Sequence, residues 1–149
     1  NSSSMYGRVE LVNLNSTLAE PNSVDAVVTF RNLHNWLGSE MDSIFKNSFM
    51  ALKPGGSFGV VEHRAKPGTG LEAMKSSGYV TESHAIKVAL KHGFELVAKS
   101  EINANRKDTK DHPKGVWTLP PRLRLDDEGR DKYEAIGESD RMTLLFRKP

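Results

Sequence analysis

The segment LKPGGSFGVVEHR, residues 52–64, constrains the fold of this chain most strongly. The run before its proline and glycines, residues 39–52, repeats apolar side chains at helical spacing, and the run after them, residues 56–61, is almost continuously apolar. Because proline and glycine end a helix, the segment predicts a helix that turns directly into a buried strand. Strands that alternate with helices in this way predict right-handed βαβ units and a mainly parallel sheet.

The rest of the chain extends this α/β pattern. Further strands are predicted at residues 9–14, 24–30, 94–102 and 141–147, and a second helix is predicted from Thr81, its N-cap, to Lys91. Ser39 is the predicted N-cap of the first helix. Residues 103–140 form a long polar loop, and loops of this length are usually functional or disordered. His112 and Trp117 in this loop are candidates to cover a pocket.

Length and composition set the class of protein. The 149 residues fit one domain, residues 1–149, and the 37% hydrophobic and 27% charged residues favour a globular protein. No apolar run is long enough to span a membrane, which argues against a membrane partner. A net charge of +2 with dispersed basic residues argues against nucleic acid. The chain has no cysteine and no visible signal peptide, and a cytoplasmic location is expected although the true N-terminus is uncertain.

Polar residues follow two of the predicted strands. Arg31, Asn32 and His34 come after residues 24–30, and Glu62, His63 and Arg64 come after residues 56–61. Ligands of open α/β sheets bind at the carboxyl ends of the strands, so both groups belong at one candidate site, although the second group could simply solvate a strand end. His34 could act as a base. His34, Glu62 and His63 lack the close spacing of metal ligands, so no metal is expected.

Four segments in order carry a family resemblance. NSVDAVVTFRNLHNWL, LKPGGSFGVVEH, HGFELVAKSEI and GESDRMTLLFRKP resemble class I S-adenosylmethionine-dependent methyltransferases, and more narrowly a group of bacterial predicted methyltransferases, over residues 9–149. The family's glycine-rich GxGxG loop is missing, because Gly68-Thr69-Gly70 follows the wrong strand. The resemblance therefore implies an N-terminally incomplete enzyme. Its Rossmann-like sheet would lack the first two strands, be mainly parallel and end in an antiparallel strand.

The resemblance also implies site residues and a function. It implies that S-adenosylmethionine is the cofactor, that Asn15 and Ser16 contact its adenine, and that Phe30, Arg31 and Asn32 line the methyl-donor pocket. An Asn-Ser pair also suits an ordinary turn. His34, Glu62, His63 and Arg64 would bind a small-molecule substrate. No catalytic residue is assigned, because methyl transfer often needs only alignment of the reacting atoms.

The expected activity is therefore methyl transfer to an unknown acceptor, impaired in this chain by the missing loop. A non-catalytic binding or assembly module is the alternative. A nicotinamide dehydrogenase fits less well, because its glycine fingerprint is absent too. A homodimer is expected, because residues 24–30 would form an apolar sheet edge that a second copy could cover.

Overall fold

A computed structural model describes residues 6–149. In this part of the chain four strands form one sheet, with helices packed against it. The strands are β1 (Val24–Phe30), β2 (Leu52–His63), β3 (Glu95–Ser100) and β4 (Arg141–Arg147). The α-helices are α1 (Ser39–Ala51), α2 (Leu71–Ser77), α3 (Glu82–Lys91) and α4 (Arg130–Ile136), and short 3-10 turns lie at Leu33–Asn35 and Gly115–Thr118.

The strands lie in the order β1-β2-β4-β3. β1 and β2 are parallel, and β4 is antiparallel to both of its neighbours, β2 and β3. Three strands therefore run in one direction and only the last runs against them, which confirms the predicted mainly parallel sheet with a final antiparallel strand. Within the described residues β1 and β3 are the two edges. No described helix combines the length and the apolar character that crossing a membrane requires.

The turn between α1 and β2 is a bulge inside the strand. α1 ends at Ala51 and β2 begins at Leu52, so the Pro-Gly-Gly segment belongs to the start of β2. Val24 pairs with Leu52 and Ala26 with Ser57, so residues 53–56 of β2 stand opposite the single residue Asp25 of β1. The N–H of Gly55 donates to the carbonyl of Lys148 at 2.8 Å, so the end of the chain holds the bulge in place.

The core lies between β2, β4 and the helices. Phe58 and Val60 of β2 are buried beside Phe146 of β4, and the ring of Phe45 on α1 meets Phe58 edge-on at 5.0 Å. Thr81 caps α3 as predicted, because its hydroxyl accepts from the N–H of His84 at 3.2 Å. These contacts fix the sheet and the strand ends that carry the polar residues.

Three local predictions are wrong. Residues 9–14 form no strand, and Leu11 is 97% exposed, because no neighbouring strand offers them hydrogen-bond partners. Gly38, not Ser39, precedes the first helical residue of α1, and no side chain caps that helix. Residues 103–140 are not a featureless loop, since they contain a 3-10 turn and α4.

Candidate functional site

A cavity of about 760 Å³ opens at the carboxyl ends of β1 and β2. The chain segments after these strands form one side of it, and residues of the long segment before β4 form the other. Its lining consists of Phe30, Arg31, Asn32, His34, Asn35, His63, Val116, Trp117, Leu119, Pro120, Pro121, Arg122, Arg124, Glu138, Ser139 and Arg141. The structure therefore brings five of the predicted site residues to one cavity: Phe30, Arg31, Asn32, His34 and His63.

Glu62 lies directly behind this cavity with no exposed surface. Side chains alternate along β2, so Glu62 shares the core face with Phe58 and Val60. Its carboxylate accepts hydrogen bonds from the backbone N–H of His34 at 3.1 Å and of His63 at 2.7 Å. The Nδ1 of His34 lies 3.1 and 3.2 Å from the two carboxylate oxygens. A buried carboxylate is thus paired with the Nδ1 of His34, and the Nε2 of His34 has no hydrogen-bond partner among residues 6–149.

His63 is the second imidazole at the cavity. Its Nδ1 is hydrogen-bonded to the hydroxyl of Ser139, and its ring centroid lies 5.4 Å from that of His34. Burial lowers the pKa of His63 to about 4, so this imidazole is neutral at neutral pH. The ring of Trp117 stands edge-on to His34 at 5.9 Å. Two imidazoles and an indole therefore lie side by side at the cavity wall.

His34, Glu62 and His63 are not spaced as metal ligands in the sequence, but they lie close together in the folded chain. One ligand atom each of His34, Glu62 and His63 lies within 4.8 Å of the other two. The spacing of these residues in the sequence is therefore no argument against a metal site in the folded chain. The Glu62 carboxylate, however, already accepts from two backbone N–H groups and faces the His34 imidazole. This arrangement is that of a hydrogen-bonded carboxylate–imidazole pair.

Arg64 was predicted to bind the substrate, and that contact stays a prediction. Arg64 does not line the cavity, because its guanidinium binds Asp140 through two nitrogens at 2.9 and 3.0 Å and Glu101 at 2.7 and 2.8 Å. The hydrogen bonds that Arg64 donates to Glu101 and Asp140 raise the pKa of Arg64. Burial alone would raise the pKa of Asp140, but hydrogen bonds from Arg64 and Lys110 lower it to about 2. Arg64 thus holds the segment before β4 against the end of β2.

Asn15 and Ser16 lie in an exposed turn and line neither cavity described here. The N–H of Asn15 donates to the side chain of Asn13 at 2.9 Å, and the carbonyl of Ser16 accepts from the side chain of Asn47 at 3.0 Å. The structure therefore shows the ordinary turn that the Asn-Ser pair favours, and their contact with adenine stays a prediction.

Apart from Trp117, the segment 115–124 is a part of the site that the sequence did not assign. Trp117 lines the cavity, as expected of a pocket cover, whereas His112 does not and instead bonds the buried Asp108 at 2.8 Å. Gly115 has a φ of 56°, and a Cβ there would lie 2.1 Å from the carbonyl oxygen of Ser77, so only glycine allows this close approach. The apolar residues and paired prolines of GVWTLPPR, within an otherwise polar segment, were the signal in the sequence that could have indicated this part of the site.

A second, more apolar cavity of about 380 Å³ lies along β1. Leu14, Leu18 and Trp36 contribute to it together with side chains of β1. Phe30 and Asn32 line both cavities, so the two meet at the carboxyl end of β1.

Comparison with solved structures identifies the fold. The cyclase SpnF matches 94% of this chain and 55% of its own length at 20% identity, with a TM-score of 0.60. An S-adenosylmethionine-dependent methyltransferase from Methanosarcina mazei matches 93% of this chain and 66% of its own length at 14% identity, with a TM-score of 0.59. This chain has the fold of class I S-adenosylmethionine-dependent methyltransferases.

The methyltransferase fold is seen again in geranyl diphosphate C-methyltransferase from Streptomyces coelicolor, which has 9% identity over 94% of this chain and 52% of its own length and a TM-score of 0.57. The chain spans between 52% and 68% of the length of these and similar methyltransferase structures. No family model matches the sequence, and no curated protein matches it.

Two features of the chain bear on the binding of a ligand as long as S-adenosylmethionine. Phe30 and Asn32 line both cavities, where a ligand could pass from β1 to the larger cavity. The sequence has no GxGxG loop to approach the other side of such a ligand, and the outer edge of β1 has no partner among the described strands.

Proposed function

We propose that the chain carries the acceptor-binding part of an S-adenosylmethionine-dependent methyltransferase that acts on a small molecule. The observation that carries this proposal is the His34–Glu62 pair at a cavity of about 760 Å³ beyond the carboxyl ends of two parallel strands. Small-molecule sites of open α/β sheets lie at this end, and a cavity of this volume suits a small ligand.

His34 is the proposed proton acceptor. The Nδ1 of His34 donates to Glu62, so its free Nε2 takes the proton of an acceptor hydroxyl, thiol or amine. The buried carboxylate of Glu62 then stabilises the imidazolium and keeps the ring in one orientation. His63 stays neutral and provides a hydrogen-bonding partner for the acceptor. S-adenosylmethionine would supply the methyl group, and alignment of the two reacting atoms provides the remainder of the catalysis.

Cofactor binding distinguishes this proposal from other uses of the fold. We expect this chain to bind S-adenosylmethionine poorly, because it lacks the glycine-rich loop. We expect a form extended through the reading frame upstream of Asn1 to bind S-adenosylmethionine at micromolar concentration. Isothermal titration calorimetry on both forms is the test. Micromolar binding by the chain itself would show that the loop is dispensable, and failure of an extended form that contains the loop would contradict the proposal.

The alternative is a non-catalytic binding or assembly module. SpnF carries the same fold under the name of a cyclase, so the fold alone does not fix the reaction. Val28 and Phe30 of β1 are 60% and 61% exposed, which favours a role in assembly. We propose that a second copy of the chain covers this edge, whichever of the two functions holds.

A further inference from the structure

The wall of the larger cavity is rich in arginine. Arg31, Arg122, Arg124 and Arg141 line it, and Glu138 is the one acidic residue among its lining residues. Arg141 forms an ion pair with Glu138. For the other three arginines, no carboxylate oxygen of residues 6–149 lies within 4.0 Å. Three guanidinium groups therefore line one cavity without a carboxylate partner among residues 6–149.

Two of these arginines are held by features of the backbone and of neighbouring side chains. Arg31 has a φ of 54°, in the left-handed region, and its N–H donates to the carbonyl of Val61 at 2.7 Å. This conformation is costly for a residue with a side chain, and such strain is concentrated at functional sites. The guanidinium of Arg124 lies over the ring of Trp117, 4.9 Å from its centroid, and the N–H of Arg124 donates to the carbonyl of Trp117 at 2.9 Å.

A guanidinium binds carboxylate and phosphate groups through paired N–H donors, which a neutral ligand cannot match. Trp117, Val116 and Leu119 add apolar surface to the same cavity. We propose that the molecule bound in this cavity carries a carboxylate or phosphate group, held by Arg31, Arg122 and Arg124, with an apolar body against Trp117. This proposal rests on the proposed function in one respect, namely that the bound molecule is the methyl acceptor.

The first test compares charged and neutral probes of one shape. Titration calorimetry of this chain with sodium benzoate, benzamide and inorganic phosphate requires neither cofactor nor turnover. We expect saturable binding of benzoate or phosphate at millimolar concentration, and at least about tenfold weaker binding of benzamide. Benzoate alone would indicate a carboxylate, and phosphate alone a phosphate. Equal affinity for benzoate and benzamide, or no saturable binding of either anion, would overturn the proposal.

The second test locates the bound anion. In the variant with Arg31→Gln, Arg122→Gln and Arg124→Gln, we expect anion affinity to fall about tenfold or more. Arg147→Gln is the matched control, because Arg147 is an exposed arginine outside the cavity that pairs with Glu95. Equal losses in the control would assign the effect to general charge and overturn the site. Loss of methyl transfer in an extended form, with anion binding intact, would instead contradict only the proposed function.

Discussion

At the scale of single residues, Glu62 organises the candidate site. It is fully buried, and it joins the segment after β1 to the end of β2 through the backbone N–H groups of His34 and His63. A buried carboxylate with three donors is stable only while those donors remain paired. The same residue therefore serves both the fold and the orientation of His34.

Glu62→Gln tests this role directly. The amide keeps the shape but places an NH2 group where the carboxylate accepts hydrogen bonds, so donors face each other in a buried site. We expect a loss of about 1–3 kcal/mol in the free energy of unfolding, measured with urea. Glu72→Gln is the control, because Glu72 is 85% exposed in its pair with Lys75, and we expect a change within about 0.5 kcal/mol. Equal effects of the two changes would contradict the assignment.

His63 makes stability depend on pH. Burial, together with the nearby His34, Arg141 and Arg31, lowers its pKa to about 4 from an ordinary value of 6.5, while Glu62 opposes the shift. Between these pH values the unfolded chain binds a proton that the folded chain does not, so stability falls as the pH drops from 6.5 to about 4.

The pH dependence can be isolated with His63→Gln. Urea unfolding of the parent and the variant at neutral pH and at a pH slightly above 4 gives four free energies. We expect the acid-induced loss to be about 2–3 kcal/mol smaller in the variant, since one pKa unit corresponds to about 1.4 kcal/mol. An identical loss in the two proteins would show that His63 is not the group responsible.

At the scale of elements, one buried carboxylate anchors the long segment before β4. The side chain of Asp108 accepts from the hydroxyl of Tyr79 at 3.0 Å, the Nε2 of His112 at 2.8 Å and the N–H of Asp140 at 2.8 Å. Burial, and then the Asp108 charge and hydrogen bond, raise the pKa of Tyr79, so its hydroxyl remains a donor. These bonds hold the cavity wall formed by Trp117 and its neighbours against the body of the fold.

Asp108→Ala should make the cavity wall formed by Trp117 and its neighbours more mobile. The change leaves buried donors without acceptors, so we expect a loss of about 3 kcal/mol or more and faster amide exchange over residues 110–124. Asp111→Ala removes an exposed neighbour that bonds only Thr109 among the described side chains, and it should change neither quantity appreciably. Hydrogen exchange that is unchanged in Asp108→Ala would mean that other contacts anchor the wall.

The sequence could predict what local spacing decides. The sequence correctly predicted the helix α1, the turn into β2 and the Thr81 cap. Each of these features depends on residues that are close together in the chain. Alternation along β2 could also have placed Glu62 on the core face beside Phe58 and Val60. The tasks of Arg64 and Asp108 could not be predicted, because their partners at Asp140 and Tyr79 lie 76 and 29 residues away.

At the scale of the whole molecule, the sheet leaves one apolar edge open. β1 pairs with β2 alone among the described strands, and it contains no proline or lysine to discourage further pairing. Residues 9–14, which were expected to form a strand, are not part of the sheet. The same edge runs to the cavity at Phe30, so the proposed dimer contact and the proposed ligand site lie on one side of the molecule.

We expect light scattering at micromolar concentration to give twice the monomer mass of 16.5 kDa. Val28→Lys adds a charge to β1 and should shift the protein to the monomer. Val97→Lys, on the opposite edge strand and 50% exposed, is the control and should leave the dimer intact. A parent protein that remains a monomer, or equal effects of the two changes, would contradict a dimer formed through β1.

The most direct test of the whole account measures S-adenosylhomocysteine release by the form extended upstream of Asn1, with small hydroxyl- or amine-bearing carboxylates and phosphates as acceptors. Release should depend on the acceptor, and His34→Gln should lower turnover by about 10²-fold or more, as expected for loss of a general base. His84→Gln, a change on helix α3 outside the cavity, should leave turnover unchanged. Turnover of His34→Gln equal to that of the unsubstituted enzyme would contradict the account.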